Sequence, residues 1–120
     1  MKRLLLPALL VATLAVAGAA LAGGWATVQL SSTPTGTKAG QPWVVTLTVL
    51  RHGRTPLQGV KPTITIRNGT KSAIFKAVPA GKPGVYRSRV VFSKPGTWTY
   101  AIWDGFTQTH TYAPVRILAG

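Results

Sequence analysis

The side chains in this 120-residue sequence that could move protons near neutral pH or hold a metal ion are few: two histidines, His52 and His110, and one carboxylate, Asp104. Cysteine is absent, and the single methionine is Met1. Copper(I) prefers soft thiolate or thioether ligands. A copper(II) site would have to draw on the two imidazoles. His52 lies in Arg51-His52-Gly53-Arg54, where the flanking arginines oppose cation binding, so it reads as an exposed loop residue. His110 alternates with Thr109 and Thr111 and reads as an outward strand residue. A metal site needs convergent ligands, and the two histidines could meet only if the fold brought both segments to one end.

Catalysis fares worse. One carboxylate cannot supply paired-carboxylate chemistry. A Ser–His–Asp set would need Asp104 beside a histidine and a serine, with no elbow motif to position them. Asp104-Gly105 reads more simply as a turn. No glycine loop followed by a helix offers a phosphate cradle. The expectation is a protein without enzymatic activity or cofactor.

Features suited to binding are more plentiful. After Lys2 and Arg3 are set aside, twelve Lys and Arg face Asp104 alone, a net charge of +11. Such a field favours anionic surfaces and opposes self-association. Lys76, Arg87 and Arg89 could form a basic stripe if their two strands pair. Trp103 and Phe106 flank Asp104-Gly105 and could present aromatic rings at a loop end.

The elements that must position these residues are strands. Past residue 22 the apolar positions recur with period two, in runs rich in β-branched and aromatic residues. Seven strands are expected, over about 25–30, 43–50, 63–67, 72–78, 85–92, 97–103 and 109–118. Val45, Leu47, Val49, Ile64, Ile66, Tyr86, Val90, Phe92, Trp98, Tyr100 and Ile102 should face inward. Asn68-Gly69 suits a two-residue hairpin, which is preferred over reading Asn68-Gly69-Thr70 as a glycosylation acceptor. Pro114 suggests an edge strand or a bulge in the last element. Strands with one apolar face each must cover one another, so the fold class expected is all-β, an antiparallel sandwich.

The N-terminus differs in kind. Met1-Lys2-Arg3 is a short positive region, Leu4 to Ala19 is almost unbroken apolar sequence, and Ala20-Leu21-Ala22 offers a small-x-small cleavage site. Residues 1–22 read as a signal-peptide helix. The alternative is an uncleaved membrane anchor. Residues 23–120 form the one exported domain.

Four segments carry a family resemblance: Ala39-Gly40-Gln41-Pro42-Trp43, Pro56-Leu57-Gln58-Gly59-Val60, Gly84-Val85-Tyr86-Arg87-Ser88 and Pro95-Gly96-Thr97-Trp98. Their order resembles the YtkA-like and FixH-like exported domains, small immunoglobulin-like modules in the style of CopC-like sandwiches. The resemblance implies an immunoglobulin-like fold and an extracytoplasmic accessory role, and it raises copper handling or oxidase assembly as an alternative. The sequence departs from that alternative by lacking methionine and having only two histidines after residue 22. The expected function is therefore a non-enzymatic interaction domain of the cell envelope. Its expected partner is an envelope protein or an anionic surface, either lipid head groups or cell-wall polymer. A basic adhesin is a weaker alternative. Export argues against nucleic acid as a partner.

Overall fold

A computed structural model describes residues 24–120, and the signal or anchor expected over residues 1–22 lies outside the described residues. Ten strands succeed one another: β1 (Ala26–Leu30), β2 (Pro42–Arg51), β3 (Thr55–Pro56), β4 (Thr63–Asn68), β5 (Lys71–Lys76), β6 (Val78–Pro79), β7 (Val85–Val91), β8 (Gly96–Trp103), β9 (Thr109–Thr111) and β10 (Val115–Ile117). They form two antiparallel sheets. The first runs β9-β8-β4-β5 with β10 also on β8; the second runs β1-β2-β7-β6 with β3 also on β2. This partition is that of an immunoglobulin-like β-sandwich. A short parallel bridge, Lys38 to Leu118, ties the β1–β2 crossing to the C-terminal segment of the other sheet.

The alternation read from the sequence decides which face each strand buries. Val45, Leu47 and Val49 of β2 are fully buried, as are Ile64 and Ile66 of β4, Tyr86 and Val90 of β7, Phe92 just beyond it, and Trp98, Tyr100 and Ile102 of β8. Aromatic pairs lock the interior edge to face: Phe92 with Trp98 at 5.4 Å and Trp43 with Tyr100 at 5.6 Å. The buried polar atoms are matched. Trp98 Nε1 donates to the Lys94 carbonyl four residues back, and the Tyr86 hydroxyl donates to the Leu57 carbonyl at 2.6 Å. Ser88, buried among apolar neighbours, donates its hydroxyl to the Lys76 carbonyl at 3.0 Å.

Three expected elements differ in detail. The strand expected over 72–78 stops at Lys76, and the chain crosses at the buried Ala77, so that Val78–Pro79 pairs with β7 in the opposite sheet. The strand expected over 109–118 is interrupted by Tyr112-Ala113-Pro114. β9 ends opposite Ala101 and β10 begins opposite Trp98, so Thr99 and Tyr100 have no register partner on that side. Proline cannot continue the ladder there. The β4–β5 hairpin turns one residue later than expected. Asn68 pairs with Lys71, and the loop residues are Gly69 (φ 60°) and Thr70. Asn68 instead spends its amide on the neighbouring strand, donating to the Thr97 carbonyl at 3.0 Å.

Candidate functional site

Asp104 closes the hairpin between β8 and β9. It is completely buried, and it is the only carboxylate side chain in the sequence. Its Oδ1 accepts the backbone N–H groups of Phe106 and Thr107, both at 2.7 Å, and Gln108 N–H sits 3.3 Å from each oxygen. Oδ2 lies 2.9 Å from His110 Nε2. Burial pushes this carboxyl upward, but the hydrogen bonds from His110 and the three backbone donors outweigh it, and the pKa falls below its ordinary value. Gly105 follows because the turn demands φ 80° and brings the backbone against Lys61; a Cβ there would lie 2.6 Å from Lys61 N. The expectation that Asp104-Gly105 serves as a turn is met. What the sequence did not show is that the same side chain captures a histidine.

His110 is accordingly not the outward residue that its threonine neighbours suggested. It pairs in register with Ile102, on the inner face of β9, and is about one-fifth exposed. His52 stands elsewhere, in the β2–β3 turn, with φ 53°, its N–H donated to the Trp25 carbonyl and its ring tilted 5.2 Å from the Trp25 indole. The turn lies at the same end of the sandwich as the Asp104 loop, since Arg51 sits over the Phe106 ring at 5.8 Å. Even so, no group of three or more His, Cys, Asp or Glu side chains converges among the described residues. His110 faces Asp104 and His52 faces Trp25; the structure does not assemble them into one ligand set.

The other candidates divide. The stripe of Lys76, Arg87 and Arg89 depended on their strands pairing, and they do not: β5 belongs to the first sheet and β7 to the second. Arg87 and Arg89 share the outer face of the second sheet with Thr46 and Val44, their partners on β2. Phe106 is not an exposed anchor, because it is half-buried against the core with its ring beside Gly24 and beneath Arg51. Trp103 does face solvent, 38% exposed on the outer face of the first sheet.

Around Trp103 lies a feature the sequence reading missed. Three Thr-x-Thr units, Thr63-Ile64-Thr65, Thr97-Trp98-Thr99 and Thr109-His110-Thr111, fall on the adjacent strands β4, β8 and β9. Their inward-facing middle residues put every threonine on the outer face. The register sets Trp103 between Thr109 and Thr63, Ala101 between Thr111 and Thr65, and Thr99 beside Arg67. With the small Ala101 as its floor, this row, Thr63 apart, forms with Tyr100 and Tyr112 an open cavity of about 450 Å³. The signal was available as the repeated Thr-x-Thr spacing, but strand order was needed to see the units as neighbours.

Charge is distributed with one sign. All twelve Lys and Arg side chains of the described residues are exposed, and the sole carboxylate is sealed inside. The outer surface therefore carries no acidic side chain. No helix among the described residues is long and apolar enough to cross a membrane. Comparison with family models, with curated proteins and with solved structures returns no match for this chain.

Proposed function

We propose that this is an exported, non-catalytic interaction domain that engages anionic polymer or lipid surfaces of the cell envelope. One observation carries the reading: twelve exposed cations stand on a surface with no acidic side chain, and the one carboxylate is buried and bound. A wholly one-signed surface favours association with polyanions and suppresses self-association. The non-catalytic part is supported by the same carboxylate, whose oxygens are spent on the loop backbone and His110 and present no face to a substrate. The export part is supported by the Met1-Lys2-Arg3 start, the apolar run and Ala20-Leu21-Ala22. The resemblance to YtkA-like and FixH-like modules is in keeping with an accessory role.

The test is adsorption of the purified protein to immobilised polyanions and to vesicles rich in anionic lipid, across a salt series. Binding at low salt should weaken steeply as the Debye length shortens to about 8 Å at physiological ionic strength, and zwitterionic vesicles should not bind. Failure to adsorb to any polyanion at low salt would refute the proposal.

A further inference from the structure

We infer that the threonine-lined groove beside Trp103 is a binding site for an acidic polysaccharide, one whose sugar rings carry carboxylate groups. This rests on the anionic-partner reading and names its ligand class.

The groove has the three kinds of group such a chain requires. A sugar ring is apolar on its C–H faces and polar around its rim. Trp103 offers an exposed aromatic face at one end of the trough, the partner an apolar ring face needs. Threonine hydroxyls both donate and accept hydrogen bonds, which suits rim hydroxyls that do the same; Thr65, Thr111 and Thr99 supply them along the two walls and the floor. Arg67, exposed at the far end beside Thr99, holds a planar fork of donors matched to a carboxylate. From Trp103 to Thr99 the floor runs four residues along β8, about 13 Å, which spans more than one ring. The half-buried Ala101 keeps the middle low, and where β9 breaks before β10 the Tyr112 ring, stacked on Tyr100 at 5.0 Å, lines the side of the trough. A volume of about 450 Å³ is that of a small-molecule site. A lipid surface would call for a broad apolar patch, whereas this face carries hydroxyls in every row.

The experiment is calorimetric titration of the purified protein, at physiological salt, with polygalacturonate, its methyl-esterified neutral form, polyglutamate and anionic vesicles. Polygalacturonate should bind more tightly than either the ester or polyglutamate. Trp103→Ala should weaken it about tenfold, as loss of an aromatic anchor does, and Trp103→Phe should restore most of that. Ala101→Phe, which fills the floor without altering charge, should weaken binding comparably. Arg67→Gln should abolish the preference for the acid over the ester. Arg87→Gln, which removes the same charge from the opposite sheet, should change affinity less than about twofold. Melting points confirm that each variant is folded.

If polyglutamate binds as tightly as polygalacturonate and Arg87→Gln costs as much as Arg67→Gln, the groove is not a site, although the cationic-surface reading stands. Binding to vesicles without binding to polygalacturonate overturns the groove in the same way. Binding to no polyanion at physiological salt overturns the groove, and binding to none at low salt as well overturns both.

Discussion

Replacing Asp104 with asparagine keeps the shape of the side chain and removes its charge, and the loop geometry says what that costs. In Asp104→Asn, Oδ1 can still accept the Phe106 and Thr107 N–H groups, now without the strength that a full negative charge adds. The amide nitrogen that replaces Oδ2 meets Gln108 N–H, donor against donor, and can keep His110 only if Nε2 becomes an acceptor. A hydrogen bond to a charged group is worth about 1.5–3 kcal/mol, and one opposed pair in a fully buried site costs a similar amount. We expect a net loss of about 2–3 kcal/mol at pH 7, which lowers the melting point of a domain this size by roughly 10–20 °C.

The pH dependence sharpens the test. The folded carboxyl titrates below the unfolded one, whose pKa is about 3.9. Its stabilisation is therefore complete above that value and drains as pH falls through the lower, folded value. One proton sets the limit, a slope of at most about 1.4 kcal/mol per pH unit. Because Asp104 is the only carboxylate side chain in the sequence, subtracting the acid limb of Asp104→Asn from that of the wild type isolates a single group. Urea unfolding followed by tryptophan fluorescence between pH 2 and 7 measures both. A variant within about 0.5 kcal/mol of the wild type, the usual range for surface substitutions, or one with the same acid slope, would refute the loop-anchor role.

Other expectations are simpler. Trp98→Ala removes a ring that is 2% exposed and should cost about 3–5 kcal/mol, read as a lower urea midpoint or as loss of a cooperative transition. An unchanged midpoint would remove Trp98 from the core. Gly105→Ala forces a Cβ to 2.6 Å from the Lys61 backbone at φ 80°, so it should destabilise by more than the ~1 kcal/mol that alanine gains at a compatible glycine position; a neutral result would mean that the loop yields. Sodium chloride should raise the melting point between 10 and about 150 mM as screening relieves repulsion among twelve exposed cations, and a flat response would count against that repulsion.

How far these features could be read from the sequence depends on their physical range. Inward positions such as Leu47, Ile64, Val90 and Trp98 announce themselves because period-two alternation is a local property of each strand, and burial follows from it. The corner at Ala77 and the break at Pro114 were harder, since each depends on which sheet the next few residues join. Lys76, Arg87 and Arg89 show the limit most directly. Their exposure was legible, but a shared stripe required a ladder pairing between sequence neighbours that the crossover to the second sheet denies, leaving only the Ser88 hydroxyl on the Lys76 carbonyl between those strands. His110 was misread for a related reason: the threonines on either side fixed its parity correctly, but which parity pointed inward was set by Ile102 on the neighbouring strand.

The same loop links stability to the groove. Asp104 directly follows Trp103, and Thr109 directly precedes His110. Clasping His110 against Asp104 while the carboxylate gathers three loop N–H groups holds Thr109 opposite Trp103 and Thr111 opposite Ala101. A slip of one residue would send the two threonines inward and His110 outward, dismantling one wall of the trough. β9 has only three residues to resist such a slip, so the burden falls on the turn. The one negative side chain is thus placed where it cannot be seen by a polyanion and where its bonds set the register of the face that would bind one. It follows that Asp104→Asn, although far from the solvent, should weaken polygalacturonate binding under conditions where the domain remains folded, with Trp103 more exposed to acrylamide quenching. An Asp104→Asn protein that binds as tightly as the wild type would show that β9 keeps its register without the clasp.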